Sequence, residues 1–167
     1  MLGRVEELVT HVEMASRGDL LPAPAVPGLS LDVLPAGSPL IRTTTVRIGS
    51  PYHWPSTTWS DDEWADYLTR PGLAARLFRY GTDIAGLADY LVSPSGSVEI
   101  TTFGLVPEFV GKGLGGYALT LAVTEAWNLT PNVRRVWLHT SNLDHPHALP
   151  NYEHRGFRRF RTTQGQR

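Results

Sequence analysis

The sequence predicts a mixed fold of the α/β (α+β) class, with a central sheet flanked by helices, and three observations lead to this prediction. Several short runs alternate apolar and polar residues and are rich in β-branched side chains, which is typical of strands. Ser60 and Glu63 have the spacing of a capping box, which opens a helix. A long apolar helix pattern at residues 114–127 follows a strand-like run through a glycine-rich turn. Strands and helices therefore interleave along the chain.

The first part of the chain predicts a helix, an arm and two strands. At residues 4–14 apolar side chains recur at helical spacing, which predicts a short amphipathic helix. Residues 18–28 contain three prolines and predict an extended arm. Residues 29–34 and 40–48 alternate and hold β-branched residues, so they predict the first two strands. A loop rich in aromatic residues then leads to the helix of residues 60–68.

The remaining elements complete the predicted sheet. Residues 73–80 and 84–92 predict the third and fourth strands, with Asp83 in the turn between them. A turn containing Pro94 and Gly96 leads to the fifth strand, which ends at residue 106. The pattern then predicts the helix at 114–127, a strand at 135–140, a short helix at 148–152 and a terminal strand.

Composition favours one soluble domain covering residues 1–167, which is close to the commonest domain size. Hydrophobic residues at 41% and charged residues at 19% are ordinary for a globular protein. The net charge of −1 gives no reason to expect nucleic acid or a membrane as partner. Without cysteine there is no disulfide, thiolate metal site or cysteine nucleophile. No signal peptide or long apolar span is present, so we expect the cytoplasm.

The glycine-rich run at residues 110–116 is the strongest functional signal. A glycine-rich turn between a strand and a helix directs backbone N–H groups to one point at the positive end of the helix dipole. Glycine also lets phosphate oxygens approach the backbone closely. We therefore expect an anion here, and a diphosphate fits best, although a packing turn would also select glycine. A Walker A loop is excluded because Gly113, and no hydroxyl residue, follows Lys112.

A dinucleotide-binding fingerprint is the second rival, and Gly111, Gly113 and Gly116 do satisfy its spacing. That fingerprint belongs after the first strand, whereas these glycines lie two-thirds along the chain. No acidic residue ends a second parallel strand about 20 positions on, where Arg134 and Arg135 make the region basic. Another class of phosphate binder therefore fits better.

Two motifs resemble the GNAT N-acetyltransferase superfamily. Residues 105–116 match its acyl-CoA signature, with Val110 in the position usually held by Arg or Gln. Downstream, a strand-like run leads to Asn142, then Ala148, Tyr152 and residues 155–157, in the order of the second family motif. The spacing from Asn142 to Ala148 is longer than usual. The resemblance covers residues 97–160 well and the first half only loosely.

The resemblance implies acetyl-CoA as co-substrate and a central mixed six- to seven-stranded twisted sheet flanked by helices. In this fold two parallel strands splay apart and hold the acyl-CoA between them. By resemblance these strands end near Leu105 and Thr140, and the amides of Leu105 and Val106 would meet the thioester and pantetheine. The residues expected to bind the cofactor are Phe103, Leu105, Val106, Val110, Gly111, Lys112, Gly113, Leu114, Gly115, Gly116 and Asn142.

The resemblance also implies two catalytic residues. Tyr152 matches the tyrosine that donates a proton to the departing thiolate; alternatively it only stabilises the last helix. Glu99 lies where many members place the base that deprotonates the amine; alternatively it pairs with a neighbouring arginine. His139 and His53 compete for the role of base, because imidazole titrates near neutrality.

The acceptor site is expected in the aromatic loop of residues 50–56. An aromatic wall would suit a hydrophobic or cationic amine. No metal is expected, because Pro146 separates His145 from His147 and no further ligand cluster is evident. The residues expected to bind the substrate are Tyr52, His53, Trp54 and His139.

Together these features predict an acyltransferase that moves acetyl from acetyl-CoA to a primary amine of a small molecule by direct attack in a ternary complex. Two alternatives stay open. Val110 and the long spacing after Asn142 favour a CoA-binding regulatory module without catalysis, and a long open groove would favour protein amino groups as acceptor. An exposed terminal strand or the N-terminal helix would also allow a homodimer.

Overall fold

The computed structural model describes residues 5–167, whose seven strands form a single mixed sheet. In chain order the strands are β1 (Glu6–Met14), β2 (Leu29–Leu34), β3 (Leu73–Tyr80), β4 (Asp83–Val92), β5 (Ser97–Leu105), β6 (Arg135–Ser141) and β7 (Arg158–Gln166). The helices are α1 (Pro39–Gly49), α2 (Asp61–Leu68), α3 (Gly115–Asn128) and α4 (Ala148–His154). Across the sheet the order is β2-β3-β4-β5-β6-β1-β7.

The parallel pair β5 and β6 separates along its length. All other neighbouring strands are antiparallel. The pairing of β5 with β6 ends at Glu99 and Trp137, although β5 continues to Leu105 and β6 to Ser141. A gap therefore opens between the far halves of the two strands. The predicted mixed sheet with splayed parallel strands is confirmed.

A β-bulge in β5 decides which side chains face which layer. Asp89 of β4 pairs with Thr102, but the next residue, Tyr90, pairs with Ile100. Thr101 is therefore an extra residue in β5, and the alternation of side chains changes sides there. Strict alternation would put Phe103 on the same face as Thr101, whereas the structure packs it with the opposite layer.

Helices cover the sheet from both sides. The long helix α3 buries its apolar face against the first side, where Leu119 and Val123 join Val98 and Val136 in the larger core cluster. Helices α1 and α2 cover β3, β4 and the end of β5 on the second side. Apolar burial in these two layers is the main force that holds the sheet in place. Among the residues described, no helix is both long and apolar enough to cross a membrane.

The predicted N-terminal helix is wrong, because Glu6–Met14 form strand β1. Arg4 lies outside the described residues. Val12 and Met14 are buried at the two-residue period of a strand, whereas Val5 and Leu8 are 55% and 48% exposed. β1 pairs with β6 on one side and β7 on the other. Pairing with partners more than 120 residues away overrides a local spacing that also fits a helix.

The predicted second strand is also wrong, because residues 39–49 form helix α1. Ser38 caps this helix by accepting a hydrogen bond from the Leu40 amide, and Pro39 occupies its first turn. The buried residues Ile41, Thr44, Thr45, Ile48 and Gly49 follow the spacing of one helix face. Its run of threonines suggested a strand, but the cap and the burial period decide the structure. Asp83 is a smaller correction, since it begins β4 and does not lie in the turn.

Candidate active site

Two cavities adjoin where β5 and β6 separate. The first, here called the loop groove, has a volume of about 490 Å³ and is bounded by the end of β5, the glycine-rich loop, the β6–α4 loop and α4. The second, the inner cavity, has a volume of about 280 Å³ and lies between β5, β6, β1 and the helices α1 and α2. The residues that line both are Trp54, Phe103, Asp144 and Tyr152.

The glycine-rich loop adopts the geometry expected of an anion site. Gly111 and Gly113 have φ of 76° and 75°, in the left-handed region that favours glycine. A Cβ added at either position would meet no atom within 4 Å, so nothing in the protein itself occupies the space beside them. The loop leads into α3, whose first amides lack helical partners and carry the positive end of the helix dipole.

Most of the predicted phosphate-loop residues lie at the loop groove. Its lining includes Val110, Gly111, Gly113, Leu114, Gly115 and Gly116. The structure does not bring Lys112 into that lining; its Nζ lies 5.7 Å from the centre of the Phe109 ring. The backbone, with Val110 in the position usually held by a polar residue, therefore forms the wall of the groove.

The end of β5 presents backbone groups to the gap. The Val106 amide donates to the Ala85 carbonyl at 2.8 Å, so it is bonded to β4. The ligand contact that the resemblance implied for this amide is therefore wrong. This bond makes Leu105 and Gly86 a non-hydrogen-bonded pair, whose N–H and C=O groups point away from each other's strand. Phe103, two residues earlier, forms the same kind of non-hydrogen-bonded pair with Ala88. Leu105 and Phe103 therefore turn their backbone groups towards the gap.

Tyr152 lies at the junction of the two cavities. Its side chain is 7% exposed, and its ring packs edge-on against Phe103 and Phe157 with centroids 6.2 and 6.1 Å apart. Burial, and to a lesser extent the charge of Asp144, raise the pKa of the Tyr152 hydroxyl above its ordinary value. The phenol therefore keeps its proton at neutral pH and can donate a hydrogen bond or a proton into the junction.

Asn142 is not brought to the loop groove. Its side-chain oxygen accepts a hydrogen bond from the Leu8 backbone amide at 2.8 Å, and its backbone amide donates to the Leu8 carbonyl at 3.0 Å. It thus extends the pairing of β6 with β1. Asn151 of α4 lies in the groove instead, where its side-chain amide donates to the Gly115 carbonyl. Sequence reasoning missed Asn151, although its place one residue before Tyr152 was a signal.

Aromatic side chains form much of the wall of the inner cavity. Trp59, Trp64 and Tyr67 pack on one another with ring centroids 5.0 to 5.8 Å apart. Trp54 completes this wall from the loop after α1. Of these four residues, only Trp54 was predicted from the sequence to lie at the acceptor site. The capping box that places α2 is also what positions Trp64 and Tyr67.

A buried ionic cluster lines the same cavity. Arg167 pairs with Asp144 at 2.9 Å and with Glu7 at 3.2 Å, and the three side chains are 10–15% exposed. Asp144 also accepts hydrogen bonds from the Trp54 indole at 2.9 Å and from the Thr140 hydroxyl at 3.0 Å. Asp144 therefore ties the aromatic loop and the end of β6 together. Local sequence patterns gave no sign of this role for Asp144.

The other predicted substrate and base residues are dispersed. His139 lines the inner cavity, Tyr52 lines the loop groove, and the exposed His53 lines neither. Glu99 lies before the strands separate and lines a third hollow with Arg70 and Trp137. Burial raises the pKa of the Glu99 carboxyl, and the charges of His139 and Arg70 oppose this rise.

Comparison with solved structures identifies the fold. A GCN5-related N-acetyltransferase from Kribbella flavida aligns with a TM-score of 0.63 at 18% identity, over 99% of this chain and 58% of its own. A GNAT-family protein from Novosphingobium aromaticivorans gives 0.61 at 17% identity, over 98% and 65%. A GCN5-related N-acetyltransferase from Sphaerobacter thermophilus gives 0.58 at 14% identity, over 98% and 53%. The chain thus spans less than two thirds of the length of these structures.

Sequence comparison identifies the family. No curated protein matches the chain significantly. The family described as Acetyltransferase (GNAT) family matches residues 43–157, which is more than half of the chain and includes both motifs. This chain therefore belongs to the GNAT acetyltransferase family.

Proposed function

We propose that this protein transfers acetyl from acetyl-CoA to the primary amine of a small molecule by direct attack in a ternary complex. One observation carries the proposal: the loop groove and the inner cavity adjoin at Tyr152. Such a junction allows a thioester that enters from one cavity to meet an amine that enters from the other. Holding both reactants in one geometry supplies much of the rate enhancement of such a transfer.

The loop groove would hold acetyl-CoA. Its diphosphate fits the amides at Gly111 and Gly113, and its pantetheine arm would run along the edge of β5 that β6 has left. The Leu105 and Phe103 backbones face that gap and would bond the arm as a neighbouring strand does. One of their amides would also donate to the thioester oxygen as negative charge develops on it.

Tyr152 would assist the departure of the CoA thiolate. Its hydroxyl makes no hydrogen bond with another protein group among residues 5–167, although its ring is firmly packed. Because burial raises its pKa, the phenol stays protonated and ready to donate to sulfur. The amine nitrogen attacks the carbonyl carbon, the carbon–sulfur bond breaks, and the thiolate takes a proton or a hydrogen bond from Tyr152.

The inner cavity supports a small cationic acceptor. A volume of about 280 Å³ is at the low end for ligand sites, which suits a small amine better than a protein chain. Its lining holds the carboxylates of Glu7 and Asp144 against the single guanidinium of Arg167, so negative charge is in excess. Aromatic faces also attract ammonium groups.

Thiol release from acetyl-CoA tests the proposal. The panel would contain arylalkyl amines, aliphatic diamines and amino acids, whose added carboxylate the acidic wall should repel. We expect kcat/KM for the best carboxylate-free amine to exceed that of its amino-acid counterpart by about tenfold or more, equivalent to about 1.4 kcal/mol. Binding of acetyl-CoA without release of thiol for any amine would refute catalysis and favour a CoA-binding module.

A further inference from the structure

A fully buried carboxylate lies beside the inner cavity and has no role in the chemistry described so far. Asp89, in the middle of β4, is 0% exposed. Its Oδ1 accepts a hydrogen bond from the Thr101 hydroxyl at 2.5 Å. Its Oδ2 is also buried and finds no hydrogen-bond partner among residues 5–167. A buried carboxylate with an unsatisfied oxygen is costly to keep, so this residue calls for an explanation beyond stability.

The bulge in β5 connects this carboxylate to the cavity. Because Thr101 is the extra residue, its hydroxyl turns to Asp89, while Thr102 is paired directly with Asp89 in the register. The Tyr67 hydroxyl of α2 lies 2.9 Å from the Thr101 oxygen. Tyr67, Thr101 and Thr102 all line the inner cavity. A chain of hydroxyls therefore leads from the cavity wall to the buried carboxylate.

Proton counting gives this chain a direction. The Thr101 hydroxyl has one proton, which it donates to Asp89, so its oxygen can only accept from Tyr67. The Tyr67 proton is thereby also committed, and the lone pairs of its oxygen remain free to accept a hydrogen bond. At the cavity, the series of hydroxyls thus ends in the Tyr67 oxygen, a hydrogen-bond acceptor that suits the N–H of an amine.

We propose that Asp89, Thr101 and Tyr67 form the relay that takes the proton from the acceptor amine. The proposal rests on the proposed acetyl transfer. As the amine N–H bond breaks, its proton passes to the Tyr67 oxygen, the Tyr67 proton passes to Thr101, and the Thr101 proton passes to Asp89 Oδ1. The acceptor ammonium thereby becomes a neutral amine with a free electron pair for attack, Asp89 ends as the neutral acid, and both hydroxyls are regenerated. The second N–H proton, lost as the amide forms, replaces the proton that Tyr152 gives to the thiolate, and the relay run in reverse returns the Asp89 proton to the open cavity before the next turnover.

The electrostatics of the Tyr67–Thr101–Asp89 relay suit this role. Burial is the largest influence on Asp89 and raises its pKa from 3.8 to about 6, against the opposing hydrogen bond from Thr101. The carboxyl is still ionised at pH 7 to 8 but binds a proton more strongly than an ordinary aspartate. Burial and the charge of Asp89 also raise the pKa of Tyr67, so the phenol passes a proton on and does not ionise alone.

The titratable neighbours do not offer a better route. On α2, Tyr67 is the titratable residue that faces Asp89. On β3, the register partner of Asp89 is Ala75, whose side chain does not titrate. On the same strand, the Tyr90 hydroxyl points to the opposite layer and donates to the Ala122 carbonyl. Glu99 lines a separate hollow, before the strands part. His139, Glu7, Asp144 and Arg167 also line the inner cavity. Within residues 5–167, none of these four hydrogen-bonds with Tyr67, Thr101 or Asp89.

The test measures kcat against pH, between pH 5.5 and 9, at saturating acetyl-CoA and with the best amine of the panel. Asp89→Asn keeps the shape of the side chain but removes its basicity. We expect kcat to fall about 100-fold or more, and the rise of kcat centred near pH 6 to disappear. Thr101→Val should have the same effect, whereas Thr101→Ser, which restores a hydroxyl, should recover the wild-type profile.

Tyr90→Phe is the matched control. Tyr90 follows Asp89 on β4, and its buried hydroxyl lies outside the relay. Circular dichroism and acetyl-CoA affinity would establish that each variant is folded. An unchanged pH profile in Asp89→Asn or Thr101→Val would overturn the relay alone, and a change confined to Glu99→Gln would assign the proton to Glu99. If the wild-type protein acetylated no amine, the proposed function would fail and the relay with it.

Discussion

The stability of the protein should report the buried Asp89 carboxylate without any assay of activity. Its pKa is about 6 in the folded state and 3.8 ordinarily, because burial disfavours the charged form. Between these values the folded protein binds more protons than the unfolded chain. The free energy of unfolding contributed by this group is therefore greatest at acid pH and is lost as pH rises through this window.

The magnitude follows from the two pKa values. A difference of about two pKa units corresponds to roughly 3 kcal/mol, and most of it, roughly 2–3 kcal/mol, develops between pH 4 and 7. Asp89→Asn removes the titration of this group. The unfolding free energy of the variant minus that of the wild-type protein should therefore increase by this amount as pH rises from 4 to 7. Any pH-independent cost of the amide shifts the whole curve and leaves this difference intact.

Urea unfolding at half-unit steps of pH, followed by circular dichroism, measures the difference. Tyr90→Phe again serves as control, because its hydroxyl does not titrate in this range, so its curve should run parallel to that of the wild-type protein. If the Asp89→Asn curve were also parallel, Asp89 would have an ordinary pKa in the folded state. The electrostatic part of the relay argument would then be refuted.

Three further outcomes follow from the site. Gly113→Asp should weaken acetyl-CoA binding at least tenfold, about 1.4 kcal/mol by calorimetry, whereas Gly81→Asp, at an equally open left-handed glycine outside the groove, should not. Tyr152→Phe should lower kcat about 10–100-fold with little change in KM for acetyl-CoA, and full activity would remove the phenol from the mechanism. Asp144→Ala should lower the free energy of unfolding, measured by urea titration, by about 3–5 kcal/mol, because it leaves the buried Arg167 with one partner fewer. A loss below about 1 kcal/mol would contradict a stabilising role for this ionic cluster.

Local signals in the sequence were sufficient to predict the glycine-rich turn and helix α3. Glycine at positions of positive φ, followed by an apolar helix, depends on a few neighbouring residues, and the structure has both features there. The same local reasoning failed for β1 and α1. β1 depends on pairing with β6 and β7, and α1 depends on the Ser38 cap, which the threonine-rich run concealed.

The relay residues could not be predicted from local patterns, because they come from three separate elements. Tyr67 is on α2, Asp89 on β4 and Thr101 on β5, and only the packed fold brings them together. One signal was present: Asp89 is an acidic residue inside the otherwise apolar run of residues 84–92. A carboxylate in such a strand is expensive to bury, so it pointed to a function or a partner without naming either.

A single register change at Thr101 connects the two halves of the site. If the same sequence formed a regular strand without the bulge, strict alternation would place Phe103 on the face of the inner cavity and turn Thr102 towards α3. With it, Phe103 packs against Tyr152 on the side of the larger core, and both threonine hydroxyls line the cavity beside Asp89. The backbone edge that would hold the thioester and the hydroxyls that would take the proton are therefore set by the same bulge. A regular pairing of this same sequence would therefore change the lining of both cavities at once.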